Sequence, residues 1–166
     1  MTILVLIDLN LQSEPIHMKR SLENWLAAYD VCHQNKFNKW IHRFCVPLIF
    51  VSVYALLFSI PLPGKSLYWN IANLVYIPAL IFWFRLSFRL GLLFTFFGFF
   101  LAIGVMVLWL FPCHGFDHVL AKIALLGFAI GWIGQFIGHH IEGKKPSFFE
   151  DLQFLLIGPI WIFKRK

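Results

Sequence analysis

The chain has 166 residues, 60% of them hydrophobic and only 13% charged, with a formal net charge of +6 and a mean hydropathy of +0.75. An ordinary soluble domain is nearer half apolar and a quarter charged, so this balance excludes disorder, a disulfide scaffold and a solvated globule. The length allows one domain, and the composition points to an integral membrane protein.

The N-terminal stretch 1–11 is apolar, but Asp8 interrupts it and no basic residue precedes it, which makes a poor signal peptide. Met18-Lys19-Arg20-Ser21 is a more natural start. Residues 1–17, His17 included, therefore read as a loosely attached arm, and 18–166 as a single membrane domain. Ser21 is placed to cap a short helix running through Trp25 and Tyr29 to about Cys32. Four uncharged intervals follow, 44–64, 66–84, 90–116 and 123–141, of 21, 19, 27 and 19 residues. Nineteen residues of helix cover roughly 28 Å, close to the hydrocarbon thickness of a bilayer. The predicted class is all-α, with four transmembrane helices at about 44–63, 67–84, 90–111 and 119–140 and interfacial helices at both ends. A barrel is excluded because runs such as Phe94-Thr95-Phe96-Phe97 lack period-2 alternation. A last uncharged interval, 152–163, has 12 residues and contains Pro159. It is too short to cross, and lies at the interface or docks on the bundle.

The basic residues orient the bundle. Lys19, Arg20, Lys36, Lys39 and Arg43 precede the first span, Arg85 and Arg89 fill the second loop, and Lys144, Lys145, Lys164, Arg165 and Lys166 follow the fourth. Only Lys65 and Lys122 fall on the other side. The positive-inside rule then places both termini in the cytoplasm, as for a bacterial inner-membrane or endoplasmic-reticulum protein. Anionic lipid accounts for the positive charge, and no motif for reading or stacking on nucleic acid accompanies it. Cys32, Cys45 and Cys113 show no CxxC spacing and read as small apolar residues.

Histidine is the chemical signal, because ionisable groups at membrane depth are costly and usually functional. His33 and His42 flank the start of the first span; His139 and His140 close the fourth, followed by Glu142. His114 and His118 form an i, i+4 pair, but a membrane's thickness separates them from His139, and they read as an exposed polar loop. The candidate metal site is therefore His33, His42 and His139, with His140 an optional fourth ligand and Glu142 a nearby carboxylate. His33 and His42 are nine residues apart, on opposite faces of one continuous helix, so the chain must bend between them; Asn35 and Asn38 can provide the bend. Asn38 and His42, like Gln135 and His139, are i, i+4, which predicts that each amide orients its imidazole. For an isolated histidine, a headgroup contact is the blander account. Gly127, Gly131, Gly134 and Gly138 fall near small-xxx-small spacing and predict close helix packing.

These residues resemble the 2-hydroxy fatty acid dioxygenase family, whose fungal member acts in phytosphingosine breakdown at the endoplasmic reticulum. One motif is Tyr29, His33, Asn38, His42 and Pro47; the other is Gly131-Trp132-Ile133-Gly134-Gln135-Phe136-Ile137-Gly138-His139, then Glu142 and Lys144-Lys145-Pro146. The likeness covers about residues 20–163. Glu142 stands one residue closer to the histidine than in the fungal pattern, Ser147 replaces a common Ala, and His140 is outside the pattern. The resemblance implies an Fe(II)-dependent oxygenase that uses O₂ to remove one carbon from a 2-hydroxy fatty acid, with His33, His42 and His139 as the catalytic iron ligands. Imidazole suits Fe(II), and three protein ligands leave open positions. Lys144, Lys145, Arg43 or Lys39 can attract the carboxylate head, although lipid headgroups account for those charges equally well.

Other classes stay open at this level. A haem-binding electron-transfer bundle wants histidine pairs facing each other inside spans. A membrane desaturase wants several histidine boxes on one face. A small transporter or scaffold binds no iron and tolerates loss of His33 or His139.

Overall fold

Ser21 accepts a hydrogen bond from the Asn24 amide at 3.2 Å and opens the first helix, and Asn35 does the same for the second through the amides of Phe37 and Asn38. The computed structural model describes residues 21–110, 116–144 and 153–163. Among them are six helices and no strand: α1 (Leu22–Val31), α2 (Lys36–Ser59), α3 (Ile71–Leu86), α4 (Phe88–Leu110), α5 (Phe116–Glu142) and α6 (Gln153–Ile162). The arm 1–17 with His17, and also Cys113, His114, Lys145 and the side chain of His118, lie outside the described residues.

Three helices are long and apolar enough to cross a bilayer, Lys36–Ser59, Phe88–Trp109 and Val119–Glu142. α3 has 16 residues, roughly 24 Å, and begins four residues after the predicted 67. The cause is a capped turn: Asn70 Nδ2 donates to the carbonyls of Ser66 and Leu67 at 3.0 and 2.9 Å, while its Oδ1 accepts from the Asn73 amide at 2.9 Å. α2 begins eight residues before the predicted 44. A charge-free interval marks where hydrocarbon can begin; the helix itself carries Lys36, Lys39 and Arg43 beyond it.

α2 and α5 share the most extensive helix interface among the described residues. They run antiparallel, and the glycines of α5 are the reason they approach so closely. A Cβ at Gly127, Gly131, Gly134 or Gly138 would land on Ser52, Ile49, Cys45 or Asn38 of α2 respectively. α3 and α4 form a second pair: Trp83 stacks on Phe94 with centroids 3.8 Å apart, and the Tyr76 hydroxyl donates to the Phe94 carbonyl at 2.7 Å. The apolar tail docks on the bundle. In α6, Phe154 and residues 157–161 are buried. Trp161 Nε1 donates to Asp30 Oδ1 at 2.5 Å, and Trp83 Nε1 donates to the Leu156 carbonyl at 3.0 Å. On the outside, Phe96, Phe100, Ile123, Leu126 and Ile133 are each more than half exposed, an apolar surface suited to lipid and costly in water.

Candidate metal centre

The helix break at 32–35 delivers His33 to the site. α1 ends at Val31, Asn35 starts α2, and the turn brings His33 back over His42 one face away. The glycine contacts between α2 and α5 set His139 beside His42. All three imidazoles are buried, His33 at 1%, His42 at 0% and His139 at 4% exposure. Their ring nitrogens converge, each residue offering one ligand atom within 4.8 Å of the others.

The hydrogen bonds decide which nitrogens face inward. His33 Nδ1 donates to the Tyr29 carbonyl at 2.6 Å, and His42 Nδ1 donates to the Asn38 carbonyl at 2.9 Å. A carbonyl only accepts, so both protons sit on Nδ1 and each Nε2 presents a bare lone pair. Burial, the largest influence, pushes the His33 imidazolium down to about 4 against a weaker opposing pull from the Tyr29 carbonyl, so this ring is neutral at physiological pH. Tyr29 lies flat against it, with centroids 4.2 Å apart and planes 1° from parallel.

His33 Nε2 is 3.0 Å from His42 Nε2, which is 3.2 Å from His139 Nε2. Between His33 and His42 two lone pairs face each other at 3.0 Å, and they repel unless a cation lies between them. Two nitrogens bound to one ion at roughly 2.1 Å, with an angle of roughly 90–100° between them, have this separation. The donor set therefore fits a divalent first-row ion.

The loop is held by Glu142. Its Oε1 accepts from the Gln34 amide at 2.7 Å; its Oε2 accepts from the Asn35 amide at 2.8 Å and from Asn38 Nδ2 at 3.0 Å. The carboxylate thus sits on the free amides at the start of α2, where the helix dipole favours negative charge. It ties α5, which carries His139, to the turn that carries His33. Just beyond, Gly143 takes φ 71°, and the amides of Gly143 and Lys144 close on the carbonyls of His140 and His139, a Schellman ending that needs a residue without Cβ.

Several predicted roles change. The Asn38 side chain does not orient His42; its backbone carbonyl does, because the i−4 carbonyl is the acceptor within reach, and the amide turns to Glu142. Gln135 does not hold His139: Gln135 Nε2 and His139 Nδ1 are both buried with no hydrogen-bond partner. His140 is exposed and outside the cluster, since it lies about 100° further round α5 than His139. Glu142 reaches backbone and amide donors and is absent from the cluster of ligand atoms. Arg43 and Lys144 are exposed, and Lys144 Nζ donates to the Val31 carbonyl at 2.7 Å.

Sequence reasoning missed α6 as a wall of the site. Trp161 lies 4.9 Å from His33 between ring centroids, held by Asp30. Its one signal is an indole in a short apolar tail. Beside His33 and His139 a cavity of about 160 Å³ opens between α2, α3, α5 and α6, and its surface is almost wholly apolar.

No match to this chain is found among the curated proteins or among the solved structures. A family model described as 2-hydroxy-palmitic acid dioxygenase Mpo1-like matches residues 19–165. With both histidine segments, the Glu142 clamp and the docked tail inside that match, the chain belongs to the 2-hydroxy-palmitic acid dioxygenase Mpo1-like family.

Proposed function

We propose that the chain is an Fe(II)-dependent dioxygenase that shortens membrane-embedded 2-hydroxy fatty acids by one carbon. The observation that carries this reading is the convergence of three buried imidazoles at the end of an apolar cavity. Together with the family match it favours oxygen chemistry on a lipid over a scaffold. A haem bundle is disfavoured because the three rings aim at one point and do not face each other in pairs.

His33, His42 and His139 would hold the iron. When bound, Fe(II) supplies the open coordination positions and redox activity that reaction with O₂ requires. The protein's own part is positional. The Tyr29 and Asn38 carbonyls fix two tautomers and aim both Nε2 lone pairs inward. Glu142 keeps the His33 turn seated on α5. Tyr29 and Trp161 cover His33 and exclude water from it. The apolar cavity takes the chain of the acid, and its polar end beside His33 and His139 sets the carboxylate and 2-hydroxyl near the imidazoles. In this reading four helices cross the membrane, with α3 the short one, and the cluster lies at the cytoplasmic face with both termini.

The test is turnover by protein purified in detergent and reconstituted anaerobically with Fe(II). Given 2-hydroxypalmitate and O₂, it should release an acid or aldehyde one carbon shorter, with iron near one per chain. Stoichiometric iron without any shortened product would overturn the reaction; a Soret band would overturn the non-haem centre.

A further inference from the structure

The cavity has one polar end and an apolar body. His33, His139 and Gln135 stand at the polar end. The body follows α2 from Val46 to Leu57, and α3 from Ala79 to Ala72. Eleven residues of helix make it about 17 Å deep, against about 15 Å of hydrocarbon in one leaflet. Val75 belongs to its lining and is 50% exposed, so the cavity reaches the outer apolar surface sideways. At the polar end, Gln135 is 4% exposed, and its Nε2 has no hydrogen-bond partner. A buried donor without an acceptor is unfavourable, and a ligand oxygen beside it removes the deficit. The geometry therefore selects a molecule with an oxygen-bearing head and one long apolar tail.

We propose that the cavity is a slot for a single acyl chain. A carboxylate or 2-hydroxyl oxygen of the head accepts a hydrogen bond from Gln135 Nε2. The tail descends between α2 and α3, and Ala79 and Leu57 set which lengths fit. Ala79 lies seven residues, about 10 Å, nearer the imidazoles than Ala72, so a bulky side chain there closes the slot at mid-depth. Leu57 stands at the far end, where truncation deepens the slot. This inference rests on the reading of the chain as acting on 2-hydroxy fatty acids, and assigns the residues that select head and tail.

The experiment uses the full chain in detergent, stripped of metal by a chelator, and measures equilibrium binding of radiolabelled 2-hydroxydecanoate, 2-hydroxypalmitate and 2-hydroxystearate. Turnover is measured separately on iron-loaded protein. Ala79→Phe should lower the palmitate-to-decanoate affinity ratio roughly tenfold. Leu57→Ala should move the preference toward stearate. Gln135→Leu should weaken all three acids by a similar factor, roughly 10-fold or more, because it reads the head alone. A ratio within one sample does not depend on the folded fraction, and Leu57→Ala removes bulk, so a poorly folding Ala79→Phe leaves the question decided by the other variant. Unchanged ratios in both tail variants, or no binding by the metal-free wild type, would overturn the slot even if the loaded protein turns over. Shifted ratios without any turnover would leave the slot standing and overturn the dioxygenase reading.

Discussion

Asn38 divides its work between backbone and side chain. Its carbonyl fixes the His42 tautomer, while its amide meets Glu142 across 104 residues of sequence. The i, i+4 spacing of Asn38 and His42 made them neighbours on paper, but it carried no information about which Asn38 group would be used. That choice was made by a carboxylate arriving from another helix, and single-sequence periodicity is blind to such arrivals. The same limit explains Gln135, whose i, i+4 relation to His139 is real and whose Nε2 nonetheless has no hydrogen-bond partner. Glu142→Ala and Asn38→Ala should each weaken metal binding by about 10–100-fold, the usual effect of removing a group that orients a ligand. His140→Ala, changing an exposed ring outside the cluster, should leave affinity unchanged. Competition with a graded series of chelators measures all three, and equal losses for His140→Ala and Glu142→Ala would contradict the geometry. Replacing His33, His42 or His139 by alanine should abolish metal retention while the helical content by circular dichroism persists.

At the level of helices, the histidine cluster is a by-product of how closely α2 and α5 can approach. Gly138 lies against Asn38, one turn before His42. Gly138→Ala forces these helices apart at the site itself and should cost about 1–3 kcal/mol by overpacking, with a loss of metal affinity beyond that of the fold. Gly104 offers a control within α4, because nothing lies within 4 Å of a Cβ there. Gly104→Ala should be neutral or stabilise by up to about 1 kcal/mol, with metal binding untouched. Thermal unfolding in detergent and metal retention, measured together, separate the two substitutions. The glycine spacing, the Ser21 cap and the need for a bend between His33 and His42 were legible because each is a local rule. The length of α3 was not, because hydropathy cannot see the Asn70 cap. The docking of α6 was legible only as one of two alternatives, because the choice depends on partners such as Asp30 more than a hundred residues away.

For the molecule as a whole, the distribution of lysine and arginine predicts that both termini share the cytoplasmic side. A reporter fused after Lys166 should be protected from an external protease in intact cells or spheroplasts, and a cleaved one would reverse the orientation. A chain beginning at Met18 should fold and bind metal like the full one, since the arm 1–17 holds none of the three clustered imidazoles; loss of metal would give His17 a role. Binding energy available only to the assembled bundle also adds to its stability. Added Fe(II) or Zn(II) under anaerobic conditions should therefore raise the unfolding temperature of the wild type, and not that of His139→Ala.

The contact between His42 and His139 spans 97 residues, which has a meaning in time as well as in space. Synthesis at about 5–20 residues per second separates the emergence of the two rings by about 5–20 seconds. Throughout that interval the nascent chain carries His33 and His42, two of the three clustered imidazoles, without the third. A fragment with two of the three imidazoles should therefore bind metal only weakly. The three-imidazole cluster is complete only when α5 is in place and Glu142 has closed on the turn at Gln34 and Asn35. A truncated chain ending before α5 should retain no metal when purified in detergent, whereas the full chain should retain it.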